Sequence, residues 1–278
     1  MSDVRAEQRV HWNAIAPTWR KWSEQIEAAA RHISERMVEL AAIKPGNRVL
    51  DVAAGLGEPT LAAARRVGPS GRVVATDISG EMLGFARERA AAAGLHNIDF
   101  VESDAASLSF PEASFEAALS RWGIIFDPDA EAAVARIRTL LKPRAHMCLA
   151  SWGPRERVPL QGIPMRVFSE RFDLPPPDDT TGPFSRPTPK DLAALLERGG
   201  FAEVEVEDAE VTFAWESPEQ YVLYVQEMSP RTLALIASQP QELQEDAWNA
   251  LTAEIRAFTQ GSGRVRLSNQ ALLAVGRA

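Results

Sequence analysis

Three acidic residues, Asp51, Asp77 and Asp104, recur at near-equal intervals along the first half of this chain. Each closes or follows a short apolar, strand-like run. A carboxylate at a strand tip can meet an ammonium or sulfonium at close range. It can also accept two hydrogen bonds from a ribose diol, or receive the amino group of a nucleobase. The first acid lies in Val49-Leu50-Asp51-Val52-Ala53-Ala54-Gly55-Leu56-Gly57. That run is an apolar strand followed by a turn of small residues, through which backbone can approach a ligand closely. Asp77 ends the next strand, and Asp104-Ala105 ends the third. The three acids therefore read as contacts to a cationic tail, a sugar and a base. A dinucleotide-binding turn competes with this reading. It requires G-x-G-x-x-G directly after the strand, with a pyrophosphate on the helix N-terminus. Asp51 in the turn and Glu58 at the helix start would oppose that pyrophosphate and suit a ligand with a cationic part.

The elements that must position these acids alternate in type. Short strands are predicted over 48–54, 72–77, 97–102, 115–120 and 145–152, with helices over 61–67, 79–94 and 129–141. Ser79 is placed as a helix N-cap and Gly94 as a stop. Strands alternating with helices of this length predict βαβ units and a parallel sheet with helices on both faces. In such sheets ligands sit beyond the carboxyl ends of the strands. Before the first strand, Ile26, Ala30, Ile33, Met37 and Leu40 recur at helical spacing, which predicts one apolar helix face. Pro17 is expected to break the tryptophan-rich segment ahead of it. Prolines crowd 153–189, and that stretch is read as an irregular cover. A helix over 189–198, a long strand over 203–215, helical segments interrupted at Pro230 and Pro240, and a last strand over 270–276 complete the pattern.

Composition narrows the function classes. The 278 residues are 45% hydrophobic, enough for a proper core, and the net charge of −8 argues against a broad nucleic-acid surface. Cys148 is the single cysteine, which excludes an internal disulfide framework and a cysteine-built metal cluster. No run approaches the ~18 apolar residues of a membrane span, and MSDVRAEQRV has no apolar signal core, so a cytoplasmic protein is expected. No His/Cys/Asp/Glu group has metal-ligand spacing, and no metal is expected.

Taken together, these segments resemble the class I S-adenosylmethionine-dependent methyltransferases. VLDVAAGLGEPT is similar to their first motif, VVATDIS to the ribose-binding segment and VESDAASLSFP to the adenine-binding segment. FEAALSRWGIIFDPD resembles their fourth strand, and TLLKPRAHMCLASW resembles the loop and strand after it. Within that superfamily the chain is most similar to the group named for ubiquinone and menaquinone biosynthesis C-methyltransferases, which tolerates Ala53 at the first glycine and often carries Ser-Arg, here Ser120-Arg121. The detailed resemblance runs from Gly46 to Pro154, with a weaker echo from Pro189 to Trp215. Three positions depart from the pattern: Leu56 for a frequent Thr, Arg144-Ala145 for a frequent Gly-Gly, and Trp19 for a common Tyr.

The resemblance implies one α/β domain with a doubly wound, mostly parallel seven-stranded sheet. Its core would span 45–152, 189–215 and 264–278, with an N-terminal helical cover over 1–44 and cover insertions over 153–188 and 216–263. It implies S-adenosyl-L-methionine as methyl donor and S-adenosyl-L-homocysteine as product. Asp51, Ala53, Gly55, Gly57 and Ser120 would serve the methionine end, Asp77 and Ile78 the ribose, and Met82, Asp104 and Ala105 the base. On the acceptor side Trp12, Trp19, Arg121, Trp122 and Trp152 are expected, with Arg121 pairing an anionic substrate oxygen and His11 as candidate base. Glu58 is read as completing the helix start. The expected acceptor is a small organic molecule, aromatic, quinone-like or a natural product, with carbon methylation ahead of oxygen or nitrogen. A non-catalytic cofactor-binding scaffold, an NAD-dependent oxidoreductase and an RNA methyltransferase are the alternatives; the acidic balance disfavours the last. The N-terminal helix and the 220–259 region could pair two copies of the chain as a homodimer.

Overall fold

The computed structural model describes residues 2–174, 179–180, 182–259, 261 and 263–278. Its centre is a seven-stranded sheet of β1 (Arg48–Val52), β2 (Arg72–Asp77), β3 (Ile98–Glu102), β4 (Phe115–Arg121), β5 (Leu141–Trp152), β6 (Ala202–Trp215) and β7 (Val265–Arg277), in the order β3-β2-β1-β4-β5-β7-β6. The first five strands are parallel, and β7 runs antiparallel to both β5 and β6. The chain leaves β1 toward β2 and β3 on one side, then returns to β4 and β5 on the other. Between β1 and β4 the order reverses, which opens a crevice at the strand ends.

Successive residues of a strand face opposite layers, and the apolar runs of β1 and β2 serve both. Val49 and Val73 join Ile33, Met37, Leu61 and Val67 in one cluster. Leu50 and Val74 join Val134, Ile137, Leu192 and Leu195 in the other. The helices that supply these faces are α1 (Ser2–Leu40), α2 (Thr60–Val67), α3 (Gly80–Ala92), α4 (Ala130–Leu140) and α6 (Pro189–Arg198). Ser79 caps α3 by accepting the Met82 N–H, and Thr188 caps α6 through Asp191. A second helical group, α5 (Pro159–Arg171), α7 (Pro218–Met228), α8 (Pro230–Ala237) and α9 (Gln241–Arg256), covers the long antiparallel end. There Trp215, Tyr221, Leu251, Ile255, Val265 and Leu267 are all buried.

Three expectations about local structure change. Pro17 does not break the N-terminal helix, which runs 39 residues through it. An interior proline costs roughly 3 kcal/mol, and buried Ile15, Ala16, Trp22 and Ile26 hold the turns on either side. The proline-rich stretch contains α5, with Pro159 at its first turn and Pro164 inside it. Leu160, Ile163, Val167 and Phe168 are buried along that helix, and Pro175, Pro176 and Pro177 lie outside the described residues. The last strand begins at Val265 rather than Gln270, because Val265, Leu267 and Asn269 are buried in alternation with exposed Arg266 and Ser268.

Candidate active site

The turn after β1 is built around left-handed backbone. Ala53 has φ +57°, Gly55 +53° and Gly57 +101°. A non-glycine residue held there costs on the order of 1–2 kcal/mol, so Ala53 keeps a glycine-like conformation without glycine. At Gly57 a β-carbon would sit 3.2 Å from that of Ala86, and its absence lets α3 pack against the turn. Arg144, at the position of the second departure, likewise holds φ +69°.

This turn borders a cavity of about 570 Å³ beyond the ends of β1 to β5, within the usual range for a small-molecule site. Thirteen of the sixteen sequence-predicted residues line it: His11, Trp12, Trp19, Ala53, Gly55, Asp77, Ile78, Met82, Asp104, Ala105, Arg121, Trp122 and Trp152. Asp51, Gly57 and Ser120 lie behind its wall. Asp51 is fully buried; the Thr60 hydroxyl donates to one of its oxygens, and the other has no partner among the described residues. Burial raises its pKa to about 7. Ser120 is buried and accepts the Ile124 N–H at 3.2 Å, so it shapes the β4 turn.

Asp77 is held by two backbone donors, Gly55 N–H and Ser79 N–H, both at 2.8 Å. The same contact ties the β1 turn to the tip of β2. Burial, opposed by these hydrogen bonds, raises the Asp77 pKa to about 6. Asp104 caps a short turn by accepting Ala106 N–H at 3.1 Å and Ser107 N–H at 3.0 Å. Arg5 of α1 reaches over it at 3.6 Å and over Asp127 at 3.7 Å. Nearby, Gln8 donates to the Phe126 carbonyl at 2.7 Å and the Ser79 hydroxyl to Asn13 at 2.6 Å. The first turns of α1 are thereby fixed across the β2–β3 side of the cavity, a role that no motif in the sequence marked.

The β4–β5 side is aromatic. Trp122 and Trp152 stack with ring centroids 4.3 Å apart and planes within 5°. Trp12 meets Trp19 and Phe126 edge-on at 6.2 and 5.4 Å, and His11 lies edge-on to Trp12 at 5.4 Å. Phe168 of α5, Phe213 of β6 and Tyr224 of α7 also line this side. Arg121, expected to pair an anionic substrate oxygen, lines the cavity but is already bonded within the protein. Its guanidinium donates to Glu27 at 2.7 Å, Ser34 at 2.9 Å and the Ala30 carbonyl at 3.4 Å, all on α1. Arg121 pins β4 to the N-terminal helix, and its charge is answered by Glu27. Glu58 departs from its expected role as well: Pro59, not Glu58, occupies the α2 N-cap, and Glu58 lines the cavity. Trp22, by contrast, is 7% exposed and belongs to the core.

The reversed strand order, the left-handed turn after β1 and the carboxylates at the tips of β2 and β3 define a class I S-adenosylmethionine-dependent methyltransferase. The comparisons with known proteins agree. A methyltransferase domain family matches residues 49–144. The ubiquinone/menaquinone biosynthesis C-methyltransferase UbiE of Pseudomonas putida is 36% identical over 113 residues, 40% of this chain and 44% of that protein. This chain thus spans under half the length of that relative. The 2-phytyl-1,4-naphtoquinone methyltransferase of Synechococcus elongatus is 31% identical over 166 residues, 59% of this chain and 71% of that protein. Among solved structures, the cyclase SpnF superposes with a TM-score of 0.55 at 20% identity, covering 90% of this chain and 82% of that one; this likeness concerns the fold alone. The chain belongs to the S-adenosylmethionine-dependent methyltransferase family and is similar to its ubiquinone/menaquinone group. Among the described residues, no helix is long and apolar enough to cross a membrane.

The residues present suit such a nucleoside. The cavity is roomy enough, Gly55 leaves open space where a β-carbon would stand, and the acids at 77 and 104 border it at successive strand tips. When bound, S-adenosylmethionine supplies an electrophilic methyl group on a sulfonium.

Proposed function

We propose that this protein methylates an uncharged, planar, apolar small molecule, aromatic or quinone-like, with S-adenosylmethionine as donor, carbon being favoured over oxygen or nitrogen. The observation that carries the proposal is the division of one cavity. Carboxylates border the β1–β3 side, while stacked Trp122 and Trp152 with Trp12, Trp19 and Phe168 border the β4–β5 side. Tryptophan faces favour flat apolar partners. The Arg121 charge is matched by Glu27, so the chamber does not favour an anionic acceptor. The names of the two relatives, both quinone methyltransferases, point the same way.

The work left to the chain is positioning. Methyl transfer needs the acceptor atom in line behind the methyl, at roughly 3–3.5 Å, and such placement can supply ~7–11 kcal/mol of barrier lowering. The tryptophan pair orients the ring, and α1 and α5 exclude water. As the carbon–methyl bond forms and the sulfur–methyl bond breaks, the hydrogen on the attacked ring carbon must leave as a proton to restore the ring, and ionisation of a neighbouring hydroxyl activates that carbon; we assign the base for these proton transfers to His11, which borders the chamber.

The test offers the purified protein isotopically labelled donor with reduced 2-prenyl-1,4-naphthoquinone, simple phenols, simple amines and anionic carboxylates. Label on a ring carbon of a flat apolar acceptor is expected. Binding of S-adenosylhomocysteine with no label passed to any acceptor would leave a non-catalytic scaffold. Label passed only to charged acceptors would overturn the assigned substrate class.

A further inference from the structure

We infer that Glu58, and not Asp51, receives the ammonium group at the amino-acid end of the donor. The inference rests on the proposed use of S-adenosylmethionine and comes from where the strands place each part of the nucleoside. Along the sheet order β3-β2-β1-β4, Asp104 stands beyond β3, Asp77 at the end of β2 and the Ala53–Gly57 turn beyond β1. A nucleoside with its base at Asp104 and its sugar at Asp77 must lay its amino-acid tail across that turn, short of the aromatic wall on β4 and β5.

The acid facing the tail there is Glu58. Asp51 lies behind the wall, with one oxygen bound by Thr60. The other acids on the cavity already have donors. Glu27 holds Arg121, Asp77 accepts two backbone N–H groups, Asp104 accepts two more, and Asp127 accepts the Asp129 N–H. Among the described residues, no hydrogen bond reaches the Glu58 carboxylate. Its side chain is 9% exposed, and its one ion-pair partner, Arg89, stands 3.8 Å away. Arg89 also donates to the Leu56 carbonyl at 2.6 Å. The carboxylate is mostly shielded yet opens on the cavity without a hydrogen-bond donor, and a ligand ammonium would supply a charge-assisted one. Burial raises the Glu58 pKa, the direction expected of an acid whose cationic partner arrives with the ligand. The Glu27–Arg121 pair next to it carries no net charge, and Glu58 itself is met only by the distant Arg89 contact, so of the acids on the cavity it is the one with no hydrogen-bond donor.

Calorimetry with two ligands tests the assignment. S-adenosylhomocysteine carries the amino-acid tail, and 5′-methylthioadenosine keeps the base, sugar and sulfur without it. Glu58→Gln is expected to weaken S-adenosylhomocysteine binding about ten- to a hundredfold, the range for a charge-assisted hydrogen bond. Methylthioadenosine binding should stay within twofold, which also reports that the variant is folded. Asp51→Asn should not discriminate between the two ligands. Unchanged homocysteine-ligand binding with a lowered turnover would overturn the assignment and make Glu58 a base for the acceptor. Equal loss of both ligands, in Glu58→Gln and Glu58→Asp alike, would overturn it too. Should the unaltered protein bind neither ligand, the donor reading itself fails.

Discussion

The two sides of the cavity are built differently. On the β1–β3 side two carboxylates are oriented by backbone: Gly55 and Ser79 hold Asp77, and Ala106 and Ser107 hold Asp104. All of these groups lie within three short strand-to-helix connections. On the β4–β5 side the wall is assembled from α1, α5, β6 and α7, segments up to two hundred residues apart, and its contacts are between rings. The first construction fixes one ligand shape, because backbone donors cannot be moved without refolding the turn. The second can be rebuilt by changing side chains on separate helices. A constant donor and a variable acceptor match this division.

The sharpest way to break the comparison is to change one residue on each side. Asp77→Ala removes the sugar acceptor and frees two backbone N–H groups. S-adenosylhomocysteine affinity should fall about a hundredfold, given ~1.5–3 kcal/mol for each hydrogen bond to a charged group, and titration calorimetry reads this directly. Trp122→Leu should lower kcat/KM for an apolar acceptor about tenfold while nucleoside affinity stays within twofold, since stacking contributes ~0.5–1.5 kcal/mol beyond area. A shift in both quantities together would erase the distinction between the sides.

Acidity sharpens the first side further. Asp77 has its pKa raised to about 6 by burial, and only its ionised form accepts both ribose hydroxyls. Affinity should therefore be flat above pH 7 and fall about tenfold between pH 7 and pH 5, since each unit below the pKa removes a factor of ten of ionised acid. Asp77→Asn should flatten that slope. The smallest effect belongs to the strap. Arg5→Gln removes a partly buried bridge to Asp104 and Asp127, and nucleoside affinity should drop two- to fivefold, less at high salt.

The same division explains what the sequence disclosed. Asp77 and Asp104 were legible because a strand tip is a local feature, set by an apolar run and the turn after it. Asp51 looked equivalent but lies inside β1, paired with Ala75 and Leu119. Its side chain enters the layer beneath α2, where Thr60 meets it, and Glu58, read as part of a helix start, faces the cavity. Arg121 was correctly placed at the end of β4, yet its partners Glu27 and Ser34 lie some ninety residues away, beyond any local pattern. α5 was hidden in plain view: Leu160, Ile163, Pro164, Val167 and Phe168 follow helical spacing and are buried, but the prolines read as breakers. Pro159 sits at a first turn, where a missing N–H costs little. The Arg5 strap has no signature at all, since a single arginine gains meaning only once α1 crosses the strand ends.

The most direct measurement is a crystal structure of the protein with S-adenosylhomocysteine. Ribose hydroxyls are expected within hydrogen-bond distance of Asp77, the base beside Asp104, the tail across the Ala53–Gly57 turn, and the sulfur facing Trp122. A nucleoside bound outside this cavity, or lying in it with its base against Trp122 and Trp152, would contradict that placement.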